Sequence, residues 1–179
     1  QKRTREDCAA PAAAEGGGTG PAPLPEGDQW QCATMKAPID WNDPKGDTIG
    51  IALIRARTSG DASSRIGSLV FNFGGPGGSG VSSLPAFGDE YAALRTRYDL
   101  VSFDPRGVGR SAGVKCENDQ QLDAYFQQDM TPDDAAERTT LLDNTEAFNA
   151  ACQKRSGTML PHVRTTDAAR DMDLMRQVL

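Results

Sequence analysis

The sequence predicts an α/β fold, a mostly parallel sheet preceded by an antiparallel hairpin, and three observations carry that expectation. The runs IGSLVFNF (66–73) and YDLVSFD (98–104) are short and apolar, as strands buried on both faces of a parallel sheet are. Between them Leu84, Phe87, Tyr91 and Leu94 recur at helical spacing, so strand, helix and strand follow in the order of a βαβ unit. Upstream, ATMKAPID (33–40) and TIGIALIRART (48–58) read as strands, and the intervening WNDPKGD supplies the Asn, Asp, Pro and Gly of a turn.

In chain order, residues 1–32 form a leader. Fifteen of the twenty residues from 9 to 28 are Ala, Gly or Pro, and Leu24 alone offers a large apolar side chain, a composition that drapes over a surface and builds no core. Residues 33–111 then hold the first half of a core, with Ile49, Ile51 and Leu53 alternating against Gly50, Ala52 and Ile54. From 112 to 164 the sheet pattern lapses into a helical insertion. There Thr131 is expected as an N-cap, with Pro132 at the first helical position and an acidic residue following, opening a helix whose Leu141, Thr145, Phe148 and Cys152 share one face. Residues 165–179, TTDAARDMDLMRQVL, form a last helix with Ala168, Met172, Met175 and Leu179 on one stripe and Asp167 and Asp171 near the positive end of its dipole. It reaches Leu179 without a glycine stop, so the fold is expected to be incomplete without a C-terminal part.

Composition removes several classes of function. A chain of 179 residues suits one domain, and 37% hydrophobic residues with 19 glycines is ordinary for a globular protein. A net charge of −6 without a basic stripe argues against nucleic acid, whose affinity depends on clustered Lys and Arg displacing counterions. No apolar run approaches the roughly 18 residues of a membrane span. QKRTRED at the start leads into no apolar h-region, so any signal peptide is expected to have been removed.

The four cysteines, Cys8, Cys32, Cys116 and Cys152, lack metal-finger spacing, and His162 is the sole histidine, so neither a metal nor a cofactor is expected. Two disulfides in an exported protein suit them better, with Cys8–Cys32 and Cys116–Cys152 as the nearest-neighbour pairing and two other connectivities open.

The stretch FNFGGPGGSG (71–80) then raises three readings. GPGGSG (75–80) and GVGRSA (107–112) both satisfy the letters of a dinucleotide fingerprint, but Pro76 sits inside the first and GVKCEN, a poor helix start, follows the second. Ser79 could be a nucleophile, yet GGSGV lacks the closing glycine of a nucleophile elbow, and His162 alone is thin support for a triad. The third reading is an oxyanion hole. Acyl transfer builds negative charge on a carbonyl oxygen, and a loop of bare backbone after a buried strand can aim N–H groups at it while letting the substrate approach.

FNFGGPGGSG together with VSFDPRGVGRS (101–111) resembles the α/β-hydrolase family of secreted actinobacterial tripeptidyl and prolyl aminopeptidases, whose loop usually reads H/P-G-G-P-G-G-S-G. QCATMKAPIDW is similar to that family's first strand, GVKC and AACQ to its cysteine pair, and residues 165–179 to the helix before its nucleophile strand. Phe73 departs from the pattern, standing where His or Pro is usual. The resemblance implies the N-terminal portion of an α/β-hydrolase fold, with Gly75 as oxyanion donor and Gly74, Gly77 and Gly78 shaping the loop. Asp104, Arg106, Gly107 and Gly109 are expected to form a tight turn, with Asp104 pairing to Arg106 or to backbone. Trp30 and Trp41 are expected to pack at the core or sheet edge.

In the family's order the nucleophilic Ser, an acid and a His all follow the last helix, and His162 lies upstream of that point. The chain is therefore expected to carry half an active site of a secreted or cell-envelope serine exopeptidase acting on peptides with a free N-terminus. Alone it is expected to be inactive, its partner being the C-terminal remainder of the same protein as a second chain covering Leu69, Phe71, Leu100 and Val101. An esterase of the same fold, and a non-catalytic nucleotide- or partner-binding domain, are the alternatives.

Overall fold

The computed structural model describes residues 4–6 and 30–179. Five strands, β1 (Thr4–Glu6), β2 (Trp30–Pro38), β3 (Thr48–Ala56), β4 (Gly67–Phe71) and β5 (Tyr98–Phe103), form one sheet in the order β1-β2-β3-β5-β4. The expected hairpin is present: β2 and β3 pair antiparallel from Trp30↔Ala56 to Pro38↔Thr48. β3 also pairs antiparallel with β5, and β5 pairs parallel with β4 from Gly67↔Tyr98 to Phe71↔Ser102. The only parallel pair among the described strands is therefore β4–β5, so "mostly parallel" does not hold for this part of the sheet.

Alternation along β3 serves two faces. Ala52, Ile54 and Ala56 join Val81, Leu84 and Leu100 in a buried cluster, with Trp30, Leu69, Phe71, Phe73 and Tyr91 packed around it. Ile51 and Leu53 point the other way, where Val101 and Phe103 are also buried. The first cluster is covered by α1 (Gly80–Ala86), which packs on β3 and β5. The last helix, α5 (Thr165–Val178), lies against β2.

Three expectations for this region change. The run 66–73 was expected to be buried on both faces, but β4 is an edge strand whose residues are all half-buried, because no described strand pairs its outer side. Leu100 and Val101 are fully buried, covered without a second chain, while Leu69 and Phe71 are half-covered. The single helix expected from Leu84 to Leu94 is broken into α1, a 3-10 turn (Gly88–Tyr91) and α2 (Ala92–Arg95). Pro85 and Gly88 sit at the break, and Leu94 is exposed.

By compactness the chain divides into residues 1–113 with 163–179, and residues 114–162. The second unit holds α3 (Asp119–Phe126) and α4 (Ala135–Ser156). α3 escaped the sequence reading although Asn118 and Gln121 form a full capping box. α4 starts at Asp134, whose carboxylate accepts from the Ala136 and Glu137 amides. Thr131 is no N-cap, since its own amide bonds the Asp129 carboxylate upstream. Leu141, Thr145, Phe148 and Cys152 do share the half-buried face, and Tyr125 stacks on Phe148 at 4.4 Å. Cys116 and Cys152 form the expected disulfide across 36 positions, worth about 4 kcal/mol in the chain-entropy account. Cys8, the other half of the expected Cys8–Cys32 bridge, lies outside the described residues, as does most of the leader.

No described helix is long and apolar enough to cross a membrane. Among the described residues no three His, Cys, Asp or Glu side chains gather as a metal site.

Candidate active site

Beyond Phe71 the chain leaves the sheet through the glycine-rich loop and re-enters regular structure at α1. The Asn72 carboxamide accepts the Gly74 amide at 3.0 Å, and the Gly78 amide closes the loop onto the Gly74 carbonyl at 3.2 Å. Gly74, Gly75 and Gly77 have φ of 74°, 124° and 91°, and the Gly75–Pro76 peptide is cis. A side chain at Gly75 is excluded twice, by its φ and by the Gly77 and Gly78 nitrogens 2.8 and 2.9 Å from where a Cβ would stand. The Gly75 and Gly77 amides have no acceptor among the described residues. Two N–H groups on an exposed loop at the end of a strand are thus left for an outside acceptor.

Phe73, in the position where the resembled family has His or Pro, holds the loop's entry by packing. Its ring lies 6.0 Å from Phe71, 6.0 Å from Phe87 and 6.4 Å from Tyr91.

The loop's exit is held by a carboxylate. Ser79 caps α1, accepting the Ser82 amide at 3.1 Å, and donates its hydroxyl proton to Asp104 Oδ1 at 2.6 Å. The same oxygen accepts the Val81 amide at 3.1 Å, and Oδ2 accepts the Arg110 amide at 3.0 Å. Asp104 is fully buried immediately after β5, its own amide bonded to the Ala52 carbonyl at 3.0 Å. The second glycine motif wraps this carboxylate. Gly109, at φ 45°, passes so close that a Cβ would lie 2.6 Å from Oδ2. Ser111 Oγ, also fully buried, accepts the Ala52 amide at 2.9 Å. Neither glycine motif leads directly into a long helix: α1 has seven residues, and α3 starts only at Asp119.

Asp104 and Arg106 do not pair with each other. Asp104 takes backbone and the Ser79 hydroxyl, whereas Arg106 forms a two-pronged bond to Asp171 of α5, both contacts at 2.7 Å, with donors left for the Pro38 and Ile39 carbonyls. Trp41 Nε1 adds a third bond to Asp171 at 3.1 Å, so Trp41 is a packing residue with a polar partner. The apolar stripe expected on α5 is displaced accordingly. Its fully buried positions are Asp167, Asp171 and Met175, and neither aspartate is a surface group answering the helix dipole. Burial pushes the Asp171 carboxyl above its ordinary value, against the downward pull of Arg106 and Trp41.

The structure therefore brings Gly74, Gly75, Gly77, Gly78 and Ser79 against the Asp104 turn, and leaves His162 in the other unit. Sequence reasoning missed the Ser79–Asp104 and Arg106–Asp171 bonds. The available signal was a lone Asp or Arg directly after an apolar strand, where an unpartnered charge cannot stay buried. Ser79 Oγ is committed to a carboxylate and an amide, and no imidazole is bonded to it. That arrangement suits a structural hydroxyl better than an activated nucleophile.

The loop after β4 thus offers unsatisfied N–H groups and is braced at its exit by a buried carboxylate, and similarity to known proteins points to a hydrolase. No family model matches the chain. It is 36% identical over 152 residues to a tripeptidyl aminopeptidase of Streptomyces coelicolor. It is 37% identical over 152 residues to the serine protease Hip1 and 36% identical over 151 residues to carboxylesterase B, both of Mycobacterium tuberculosis. These alignments cover 83%, 83% and 82% of this chain and 28% of each relative. The chain is homologous to these actinobacterial hydrolases and spans little more than a quarter of their length.

Proposed function

We propose that these residues are the N-terminal part of an exported serine exopeptidase that removes short peptides or single residues from free N-termini. The observation that carries the reading is the pair of unsatisfied amides at Gly75 and Gly77, in a loop held open at the end of β4. In the complete enzyme a Ser attacks the scissile carbonyl, the carbonyl oxygen becomes an oxyanion, and the Gly75 N–H donates to it, together with the amide after the nucleophile. Gly74, Gly77 and Gly78 shape the turn that points Gly75 at the substrate. The nucleophile, acid and base come from the part of the relatives' length that this chain does not span. The outer edge of β4 is where the strand carrying the nucleophile pairs, whether in one polypeptide or as a second chain. The Cys116–Cys152 bridge supports export, since such bonds persist in oxidising compartments.

Esterase activity is the second reading, because one relative at the same identity is named a carboxylesterase. A panel of aminoacyl, tripeptidyl, N-acylated tripeptidyl and simple ester substrates, tested on the full-length protein, separates the two. The exopeptidase reading expects tripeptidyl or aminoacyl amides to turn over fastest. Faster turnover of N-acylated peptides, or of esters alone, would sink it.

A further inference from the structure

We infer that Asp104 is the positioning residue of the glycine loop: through the Ser79 hydroxyl and the Val81 amide it sets where the Gly75 and Gly77 N–H groups point, without touching substrate itself. The inference rests on the oxyanion reading of that loop and adds what holds it in place.

Between Phe71 and α1 the loop has few other restraints. Its internal bonds are Asn72 Oδ1 to the Gly74 amide and the Gly74 carbonyl to the Gly78 amide, and glycines 74, 75 and 77 lack side chains with which to pack. The entry is fixed by Phe73 in its aromatic cluster. The exit is fixed by one carboxylate oxygen, Asp104 Oδ1, which binds Ser79 and Val81 together. The carboxylate is itself held in place by its neighbours. Oδ2 is held by the Arg110 amide and enclosed by Gly109, and the Asp104 amide is hydrogen-bonded to β3.

Every bond described for the carboxylate comes from a neutral donor. Its negative charge is thus not cancelled by a partnered guanidinium, and it attracts the positive ends of the Ser79 and Val81 dipoles at close range. An oxyanion donor acts only if preorganised, because reorganisation during the reaction consumes the stabilisation it supplies. Anchoring the loop at both ends meets that requirement.

The test uses full-length protein with Ser79→Ala, Ser79→Thr and Asp104→Asn. Asn turns an N–H2 toward at least one of the three donors whichever way it faces, whereas Ser79→Thr keeps the hydroxyl. With a tripeptidyl amide as substrate, Ser79→Ala and Asp104→Asn should lower kcat by about 10- to 100-fold with KM within about twofold, and Ser79→Thr should restore most of it, since a misplaced oxyanion donor costs transition-state and not ground-state binding. Affinity for a peptide aldehyde, which forms a tetrahedral oxyanion, should fall in parallel with kcat.

Hydrogen exchange at the amides of residues 74–80 supplies a readout independent of turnover. It should quicken about tenfold or more in Ser79→Ala and Asp104→Asn and stay unchanged in β3, as expected for local loosening of one segment. If the loop amides exchange at wild-type rates, or if kcat in folded Ser79→Ala equals wild type, the inference is overturned. A loop that loosens in a protein whose wild type hydrolyses neither peptides nor esters leaves Asp104 as the loop's anchor and retires the oxyanion reading. Should Asp104→Asn fail to fold, the two Ser79 variants decide the matter alone.

Discussion

β5 carries an aspartate at its start and is followed by one at its end, and the two are satisfied in opposite ways. Asp104, after the last residue, is fully buried and bonded by a hydroxyl and two amides. Asp99, second in the strand, faces a cleft of about 800 Å³ whose lining includes Arg55, Arg57, Arg65 and Arg95. It bonds the Arg55 and Arg65 guanidinium groups at 3.3 and 3.0 Å and accepts the Thr58 amide at 2.9 Å. At the surface cleft, arginines that reach water neutralise the carboxylate alongside one amide. Where the chain must hold a loop in one geometry, the partners are backbone groups and a short hydroxyl, whose positions the fold itself fixes.

Asp171 stands between the two cases, buried like Asp104 and paired with arginine like Asp99. The largest effect on stability is expected here. Arg106→Met leaves Asp171 buried beside Trp41 without its cation and strips the Pro38 and Ile39 carbonyls of their donor. The loss should be about 3–5 kcal/mol, measured by urea unfolding of the full-length protein. A loss below about 1 kcal/mol would mean that water reaches this pair as freely as it reaches Asp99, since that is the range of exposed pairs.

A smaller effect separates geometry from charge at Asp104. Gly109→Ala changes no charge but demands φ near 45° of an L-residue and sets its Cβ 2.6 Å from Asp104 Oδ2. About 2 kcal/mol of destabilisation is expected from the left-handed backbone and the displaced carboxylate together. The same substitution at Gly67, where a Cβ meets nothing within 4 Å, should leave stability close to unchanged and serves as the control.

The contrast between the two ends of β5 also marks what the sequence made legible. Periodicity found the hairpin and α5, and an apolar run found β5, because burial of one face leaves a repeat and burial of both leaves a run. Such a run misplaced the cover of β4, since it looks the same in a central strand and in an edge strand beside a helix. The glycine loop was visible as Gly74, Gly75, Gly77 and Gly78 because bare backbone is itself a composition signal. What braces it was not. The Asp104–Ser79 bond spans 25 positions and the Arg106–Asp171 pair 65, and no local pattern links residues so far apart. On α5 the buried stripe was misread as apolar because two of its members are charged: Asp167 pairs with Arg164 three residues upstream, and Asp171 is buried by a partner 65 positions away.

The smallest expected effect belongs to Asp99, and its sign distinguishes it from Asp171. Burial raises the Asp99 carboxyl, but the Thr58 amide, Arg65 and Arg55 outweigh it and hold the group below its ordinary value. A carboxyl lowered in the folded state contributes stability in full above its unfolded value, near pH 4, and loses that contribution as pH falls through the folded value. At Asp171 the group is raised, so its contribution runs the other way and diminishes as pH climbs through the folded value. Asp99→Asn should therefore cost about 1 kcal/mol or less at pH 7, because Arg55 and Arg65 reach solvent with 23% and 35% of their side-chain surface exposed. It should also flatten the decline in stability below about pH 4. Unfolding midpoints of wild type and Asp99→Asn, taken from pH 7 down to pH 3, should converge as the acid limb is reached. If the two curves stay parallel throughout, neither the Thr58 amide nor the two arginines favour the ionised Asp99 more in the folded state than in the unfolded, and the cleft end of β5 owes its order to the sheet alone.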